Sequence, residues 1–159
     1  MIQRNTYDLV DEPAGEVLRE LLTWTLSAAT RLGLVVNSHN VRLSSRAVAF
    51  LEDASPYLVA INEVSEWPGT QIIGQRRAIL RIYRYNLECM ELFAATADRL
   101  YMWVNPGLPE DPHLLREDGS VVLGTVAQED DGWMELETAE YDSLIRRVPW
   151  MAGALRQQD

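Results

Sequence analysis

Apolar residues along the chain follow two periods, one of three to four residues that is typical of helices and one of two that is typical of strands. In residues 13–33 the apolar positions follow the helical period, and Pro13 and Gly33 stand where helices commonly begin and end. Four further helices are predicted to begin at capping residues: Ser44 or Ser45, Ser55, Asn86 and Thr138. A single kinked helix over residues 45–64 is the alternative to two, so the total is four to five.

Strands are predicted where apolar and polar residues alternate. In residues 77–85, Ala78, Leu80 and Ile82 fall on one face, which we expect to lie in the core. Further strands are predicted over residues 34–36, 70–74, 113–117, 120–127 and 132–137. This order of elements predicts a single α+β domain over residues 1–159, with a largely antiparallel sheet of about five strands packed with four to five helices.

Glycine and proline mark the predicted connections between these elements. The helix after Asn86 is expected to run to Val104, where the proline-rich segment 105–112 ends it. Asp118-Gly119 and Asp131-Gly132 each separate two apolar runs, which is a strong signal for a hairpin turn. Many acidic residues of this region are therefore expected in turns, where Asp suits the backbone conformation that a turn requires.

Charge is distributed unevenly along the chain. The net charge is −10, and residues 110–142 contain eleven acidic residues and a single basic one, Arg116, whereas the rest of the chain is neutral. Such a segment is either a solvated face that keeps the protein in solution or a docking surface for a basic partner. It would repel free nucleic acid, which we therefore exclude as a partner.

Several kinds of chemistry are excluded by residue type. The chain contains no lysine, so it has no phosphate-loop lysine and no Schiff-base lysine. Cys89 is the only cysteine, so an intrachain disulfide and a Cys-pair zinc site are impossible. His39 and His113 belong to no two-ligand metal motif, and no serine lies in a nucleophile elbow. We predict no catalytic residue, no metal and no cofactor, and a non-enzymatic role is favoured.

Binding residues are predicted from the acidic segment and from the mixed arginine and tyrosine face of residues 77–85. Arginine and large aromatic residues are typical of the residues that dominate protein interfaces. The candidates are Glu129, Asp130, Asp131, Trp133, Arg81, Tyr83 and His113. For the aromatic residues, packing in the core is the competing interpretation.

The sequence predicts no association with a membrane. No run approaches the roughly 20 apolar residues that a membrane-spanning helix needs. The first residues form no apolar stretch typical of a signal peptide, so a cytoplasmic location is expected.

Residues 54–140 resemble small bacterial proteins of the immunity type, which accompany polymorphic toxins. The resemblance lies in the order of EWPGT at 66–70, W-x-x-P-x-x-P-E-D at 103–111, R-x-D-G at 116–119 and a later tryptophan in acidic surroundings. It implies a compact protein that binds another protein and has no catalytic residues.

The leading hypothesis is therefore a protein-binding domain that turns the acidic segment 110–142 toward a basic protein partner, as an immunity-type protein would. One alternative is a small-ligand-binding or carboxylate-based enzyme domain of unknown substrate, in which carboxylates act with His113 or Arg81. Another is a regulatory subunit of a larger assembly. The sequence leaves the oligomeric state open.

Overall fold

The structure is a computed structural model that describes residues 2–159. Within this range the chain forms ten strands and five α-helices. In chain order these are β1 Asn5–Leu9, α1 Glu16–Thr25, β2 Arg31–Val36, α2 Ser45–Ala54, β3 Leu58–Val64, β4 Glu66–Trp67, β5 Thr70–Gln71, β6 Ala78–Arg84, α3 Leu87–Thr96, β7 Glu110–Leu115, β8 Val121–Val126, β9 Asp131–Leu136, α4 Thr138–Arg147, α5 Met151–Ala154 and β10 Leu155–Gln157. No helix among residues 2–159 is long and apolar enough to span a bilayer.

Eight of the strands form one sheet in the order β10-β1-β9-β8-β7-β2-β6-β3, and β4 and β5 form a separate hairpin. All pairings in the described chain are antiparallel. The α+β class and the number of helices agree with the expectation from the sequence, although the helix predicted from Ser55 is largely a strand and α5 was not predicted. The predicted sheet of about five strands is wrong.

The strands that were not predicted lack a clear strand pattern in their sequences. β3 lies at the edge of the sheet, where Val59 and Ile61 are exposed, so it lacks the alternation of a half-buried strand and was expected to be helical. Only residues 55–57 are helical there, as a 3-10 turn that includes Pro56. β1 and β10 pair with each other and bring the two chain ends into the sheet, where an irregular C-terminus was expected.

Two predicted helices end earlier than their apolar pattern suggests. α1 stops at Thr25, because Arg31–Val36 pairs with β6 and β7 in the interior of the sheet. Gly33, expected as the helix stop, is therefore a strand residue. α3 ends at Thr96 rather than at Val104. The predicted caps Ser44 and Asn86 are confirmed, since each side chain accepts a backbone N–H bond at the start of its helix.

The sheet has two different faces. The helices cover one face and form with it the main hydrophobic core, which includes Leu32, Tyr83 and Trp103. Part of the other face, which we call the hairpin face, packs against the β4–β5 hairpin through a smaller cluster around Val35 and Trp67. The predicted core residue Ala78 belongs to this smaller cluster, so the strand β6 contributes to both faces.

Candidate functional site

Polar side chains are buried in this protein mainly at one place, the start of β7. The buried polar or charged residues are Thr25, Ser38, Asn105, Glu110, Asp111, His113, Arg116 and Thr125. Buried charged groups are costly unless they are paired or hydrogen-bonded, so a pair of adjacent buried carboxylates requires a structural or functional reason.

Both carboxylates reach the same cleft because β7 contains a β-bulge. Gly33 pairs with His113 but Val35 pairs with Glu110, so one residue of β2 faces two residues of β7. Asp111 lies in this bulge with a φ of 53°, in the left-handed region. Neighbouring side chains of a regular strand point to opposite faces, and the bulge removes that alternation.

The Glu110 carboxylate joins three segments that are distant in sequence. Its Oε2 accepts a hydrogen bond from Ser38 Oγ at 2.8 Å, and its Oε1 accepts one from the Asn105 backbone N–H at 3.1 Å. The Asn105 side chain also donates to Ser38 Oγ at 3.1 Å. His39 Nε2 lies 3.7 Å from Oε2, and the His39 side chain is 43% exposed.

The Asp111 carboxylate holds the β4–β5 hairpin and the turn after β8. Its Oδ2 accepts a bond from the Trp67 indole N–H at 2.9 Å, and its Oδ1 accepts one from the Ala127 backbone N–H at 2.9 Å. Burial raises the pKa of Asp111, and these two N–H donors act in the opposite direction. Since both oxygens accept from N–H groups, the arrangement is that of an ionised carboxylate.

Glu110 and Asp111 line an open cleft of about 200 Å³, which we call the carboxylate cleft. Trp67, Ile72 and Val126 supply apolar surface. The remaining lining residues are polar: Ser38, His39, Thr70, Arg76, Gln128 and Glu129.

The other acidic residues of segment 110–142 are divided between the two ends of the sheet. The β7–β8 turn and the N-terminus of α4 lie at one end, where Arg4 bridges Asp118 and Glu137, at 3.9 and 3.7 Å. Arg116 pairs there with Glu140 at 2.7 Å. Three carboxylates at this end, those of Asp118, Glu137 and Glu140, therefore have an arginine of the same chain within 4.0 Å.

The β8–β9 turn, with Glu129, Asp130 and Asp131, lies at the opposite end of the sheet, beside the carboxylate cleft. We call these three exposed residues the acidic turn. Within residues 2–159, no arginine or histidine nitrogen lies within 4.0 Å of their carboxylates. Asp130 has a φ of 52°, so the reversal is at Ala127–Asp130, whereas the predicted turn residues Asp131 and Gly132 lie in β9.

The structure brings some of the predicted binding residues together. Glu129, Asp131 and Trp133 line one shallow groove, and Asp130 adjoins it. The Trp133 indole N–H donates to Glu135 at 2.9 Å, and the half-buried ring lies against Gly124 of β8.

The other predicted binding residues are elsewhere. Tyr83 and Arg81 both belong to β6: Tyr83 is fully buried in the main core, and Arg81 is partly buried and lies outside the cleft and groove linings. His113 is buried in β7, where its Nδ1 lies 2.9 Å from the Asp111 carbonyl oxygen. Burial lowers the pKa of His113 to about 4, so the ring is neutral at pH 7.

Sequence reasoning missed Asn105 and Trp67 as parts of a site, and it did not bring Ser38, Glu110 and Asp111 together. The one signal for the site was the sequence PEDP, where two acids stand between prolines. A residue before proline is biased toward extended conformations, so that pattern did not predict the left-handed Asp111.

The described residues contain no group of three or more His, Cys, Asp and Glu side chains that could hold a metal ion. Comparisons of the chain with family models, with curated proteins and with solved structures found no match.

Proposed function

We propose that this chain is a non-enzymatic domain that binds a basic protein through the acidic turn and the adjacent carboxylate cleft. The observation that carries the proposal is the difference between the two ends of the sheet. Acidic residues at one end pair with Arg4 and Arg116, whereas the acidic turn has no such partner among residues 2–159. Its charge is therefore available to a molecule outside the chain.

Complementary charge between two proteins mainly accelerates their association and rejects wrong partners. Glu129, Asp130 and Asp131 are exposed on a turn, so they suit this steering role. Trp133 lines the same groove as Glu129 and Asp131, so it is the aromatic residue that we expect to contact the partner. The more specific form of the proposal, which rests on the sequence resemblance, is that the domain is an immunity-type protein and that its partner is a basic toxin.

The experiment is affinity capture followed by measurement of the association rate with the captured partner. The variant carries Glu129→Arg, Asp130→Arg and Asp131→Arg. The control carries the same substitution at three exposed acids on α2 and α3, Glu52, Asp53 and Glu88. Both variants change the formal net charge from −10 to −4, so the overall charge is matched between them.

We expect the acidic-turn variant to associate at least about 10-fold more slowly at low salt, and the control to retain most of the wild-type rate. High salt should remove most of the difference. Equal rates for the two variants, or a wild-type rate that does not respond to salt, would refute the proposal.

A second candidate function is the binding of a small ligand in the carboxylate cleft. Its support is the convergence of two buried carboxylates with Trp67 in a concave site. The cleft, at about 200 Å³, is smaller than the roughly 300–1,000 Å³ of most ligand pockets, so protein binding remains the leading proposal.

The proposal places the protein in the cytoplasm. Cys89 is a buried free thiol whose pKa burial raises to about 12, and such a group is compatible with a reducing compartment.

A further inference from the structure

The carboxylate cleft has a surplus of negative charge. Three carboxylates line it, Glu110, Asp111 and Glu129, against one guanidinium, that of Arg76. These four groups together have a formal net charge of −2. The Arg76 guanidinium donates to the Ser38 carbonyl oxygen at 3.1 Å, and within residues 2–159 it forms no ion pair within 4.0 Å.

The buried carboxylates can accept more hydrogen bonds than they receive. Each oxygen of Glu110 and Asp111 accepts one bond from the chain, although an ionised carboxylate offers about four acceptor positions. A separate orphan acceptor belongs to the same network. Asn105 is 6% exposed, its amide nitrogen donates to Ser38 Oγ, and its Oδ1 has no donor.

The shape of the cleft suits a group with several donors on an apolar stem. Trp67, Ile72 and Val126 offer apolar surface to aliphatic carbons, and the carboxylates of the same lining offer hydrogen-bond acceptors. A guanidinium carries five donors in a planar fork and forms the strongest pairs with carboxylates. Glu129 belongs to both the cleft and the acidic turn, so a basic partner steered to the turn meets the cleft opening.

We propose that the carboxylate cleft receives an arginine side chain of the protein partner and acts as the specificity pocket of the interface. This inference rests on the proposed function, because that function supplies the basic partner. It assigns a separate role to each part: the acidic turn sets the association rate, and the cleft selects which basic residue is anchored.

The test uses the whole chain and a pair of small probes, and needs no partner. The probe is N-acetyl-arginine amide, and its matched control is N-acetyl-citrulline amide, which has nearly the same shape without the charge. Binding is followed by NMR through the Trp67 indole N–H and the Ala127 amide N–H, because both donate to Asp111 in the cleft. We expect saturable shifts with a Kd on the order of 1 mM for the arginine probe and none for the citrulline probe.

Variants of exposed residues then locate the site, and none of them removes a group that donates to Glu110 or Asp111. Glu129→Gln should weaken binding of the arginine probe several-fold, and Arg76→Gln should strengthen it by removing the competing positive charge. Glu117→Gln is the matched control, since Glu117 is exposed in the turn at the opposite end of the sheet, and it should leave the Kd unchanged.

The inference would be overturned by equal shifts with both probes or by shifts that do not saturate. It would also be overturned if neither Glu129→Gln nor Arg76→Gln changed the Kd of the arginine probe. A lysine probe that binds more tightly than arginine would overturn the choice of a guanidinium. The two proposals fail separately. If the cleft ignores the probes while the acidic turn still controls association with a partner, only the pocket is refuted. If the probes bind but charge reversal on the turn changes no association rate, the protein-binding proposal fails.

Discussion

Two aromatic side chains on the hairpin face of the sheet lie directly over glycines of neighbouring strands. A Cβ atom built on Gly33 would lie 2.0 Å from His113 Nε2, and one built on Gly124 would lie 2.3 Å from the Trp133 ring. In each pair the missing side chain provides the space for the ring. The two glycines are therefore packing residues of β2 and β8.

We expect Gly33→Ala to lower the free energy of unfolding by about 1–3 kcal/mol, the usual cost of overpacking a filled core. The His113 ring cannot move away freely, because it is buried and its Nδ1 contacts the Asp111 carbonyl oxygen. Urea denaturation measures the effect. Gly153→Ala is the control, since no atom lies within 4 Å of its added Cβ, and it should be neutral or slightly stabilising in α5. A Gly33→Ala protein as stable as the control would contradict this account of the packing.

Among the elements, the β4–β5 hairpin is held by few contacts, and one of them is polar. The hairpin contains two residues per strand, and the Trp67 indole fixes it to Asp111 of the bulge in β7. Gly69, at its turn, approaches Trp133 and Val126, so the hairpin also covers part of the hairpin face of the sheet. A two-stranded hairpin is marginal by itself, so these contacts decide whether it stays closed.

Trp67→Phe should loosen the hairpin while leaving the large sheet intact. The substitution keeps an aromatic ring but removes the N–H donor to Asp111, and losing a hydrogen bond to a charged group costs about 1.5–3 kcal/mol. Hydrogen exchange should accelerate at the Ile72 amide, which donates to the Ser65 carbonyl oxygen and closes the hairpin. The matched control is Trp150→Phe, at a tryptophan that is 42% exposed. Unchanged exchange at Ile72 would mean that the indole bond does not hold the hairpin.

The sequence predicted elements well where a local signal agreed with the final packing. The caps of α2 and α3 and the Asp118-Gly119 turn are of this kind, because a side chain or a glycine fixes the backbone within three residues. β3 was missed because an edge strand is only partly buried. The prediction for α1 was too long because Leu32 continues the helical spacing of apolar residues, whereas in the structure it belongs to β2, which pairs with two neighbouring strands.

The candidate site could be predicted only in part. The concentration of acidic residues was visible in the sequence, but their division between two ends of the sheet depends on the alternating directions of β7, β8 and β9. The convergence of Glu110 and Asp111 depends on a one-residue bulge, and Ser38 and Asn105 join them from distant segments. Such contacts arise from tertiary structure, for which the local sequence carries no signal.

At the scale of the whole molecule, the buried titratable groups couple global stability to pH. His113 and Asp111 lie close together in β7 and have opposite effects. The pKa of His113 is lowered to about 4 by burial, and the pKa of Asp111 is raised by burial. A carboxyl group whose pKa is raised in the folded protein stabilises the folded state at pH values below its ordinary pKa. This stabilisation is lost as the pH rises through the folded-state pKa. Asp111 therefore opposes acid unfolding, whereas His113 promotes it.

The contribution of His113 falls in a defined range of pH. Between the ordinary histidine pKa of 6.5 and the folded-state value of about 4, the unfolded chain binds a proton that the folded protein does not. The free energy of unfolding should therefore fall as the pH is lowered through this range, by about 3 kcal/mol from this residue. Urea denaturation across the range should show a flatter pH dependence for His113→Gln than for the wild type, whatever the absolute stability of the variant.

Trp150→Phe, at an exposed tryptophan that carries no titratable group, is the control and should keep the wild-type slope. If His113→Gln kept that slope as well, His113 would have to take up a proton in the folded protein. Its Nε2, which has no hydrogen-bond partner, would then need an acceptor. The Nδ1 contact with the Asp111 carbonyl oxygen cannot serve both nitrogens, and Gly33 presents only a backbone surface to the ring. The buried ring is thus suited to the neutral form alone, so its protonation at low pH accompanies unfolding of the protein.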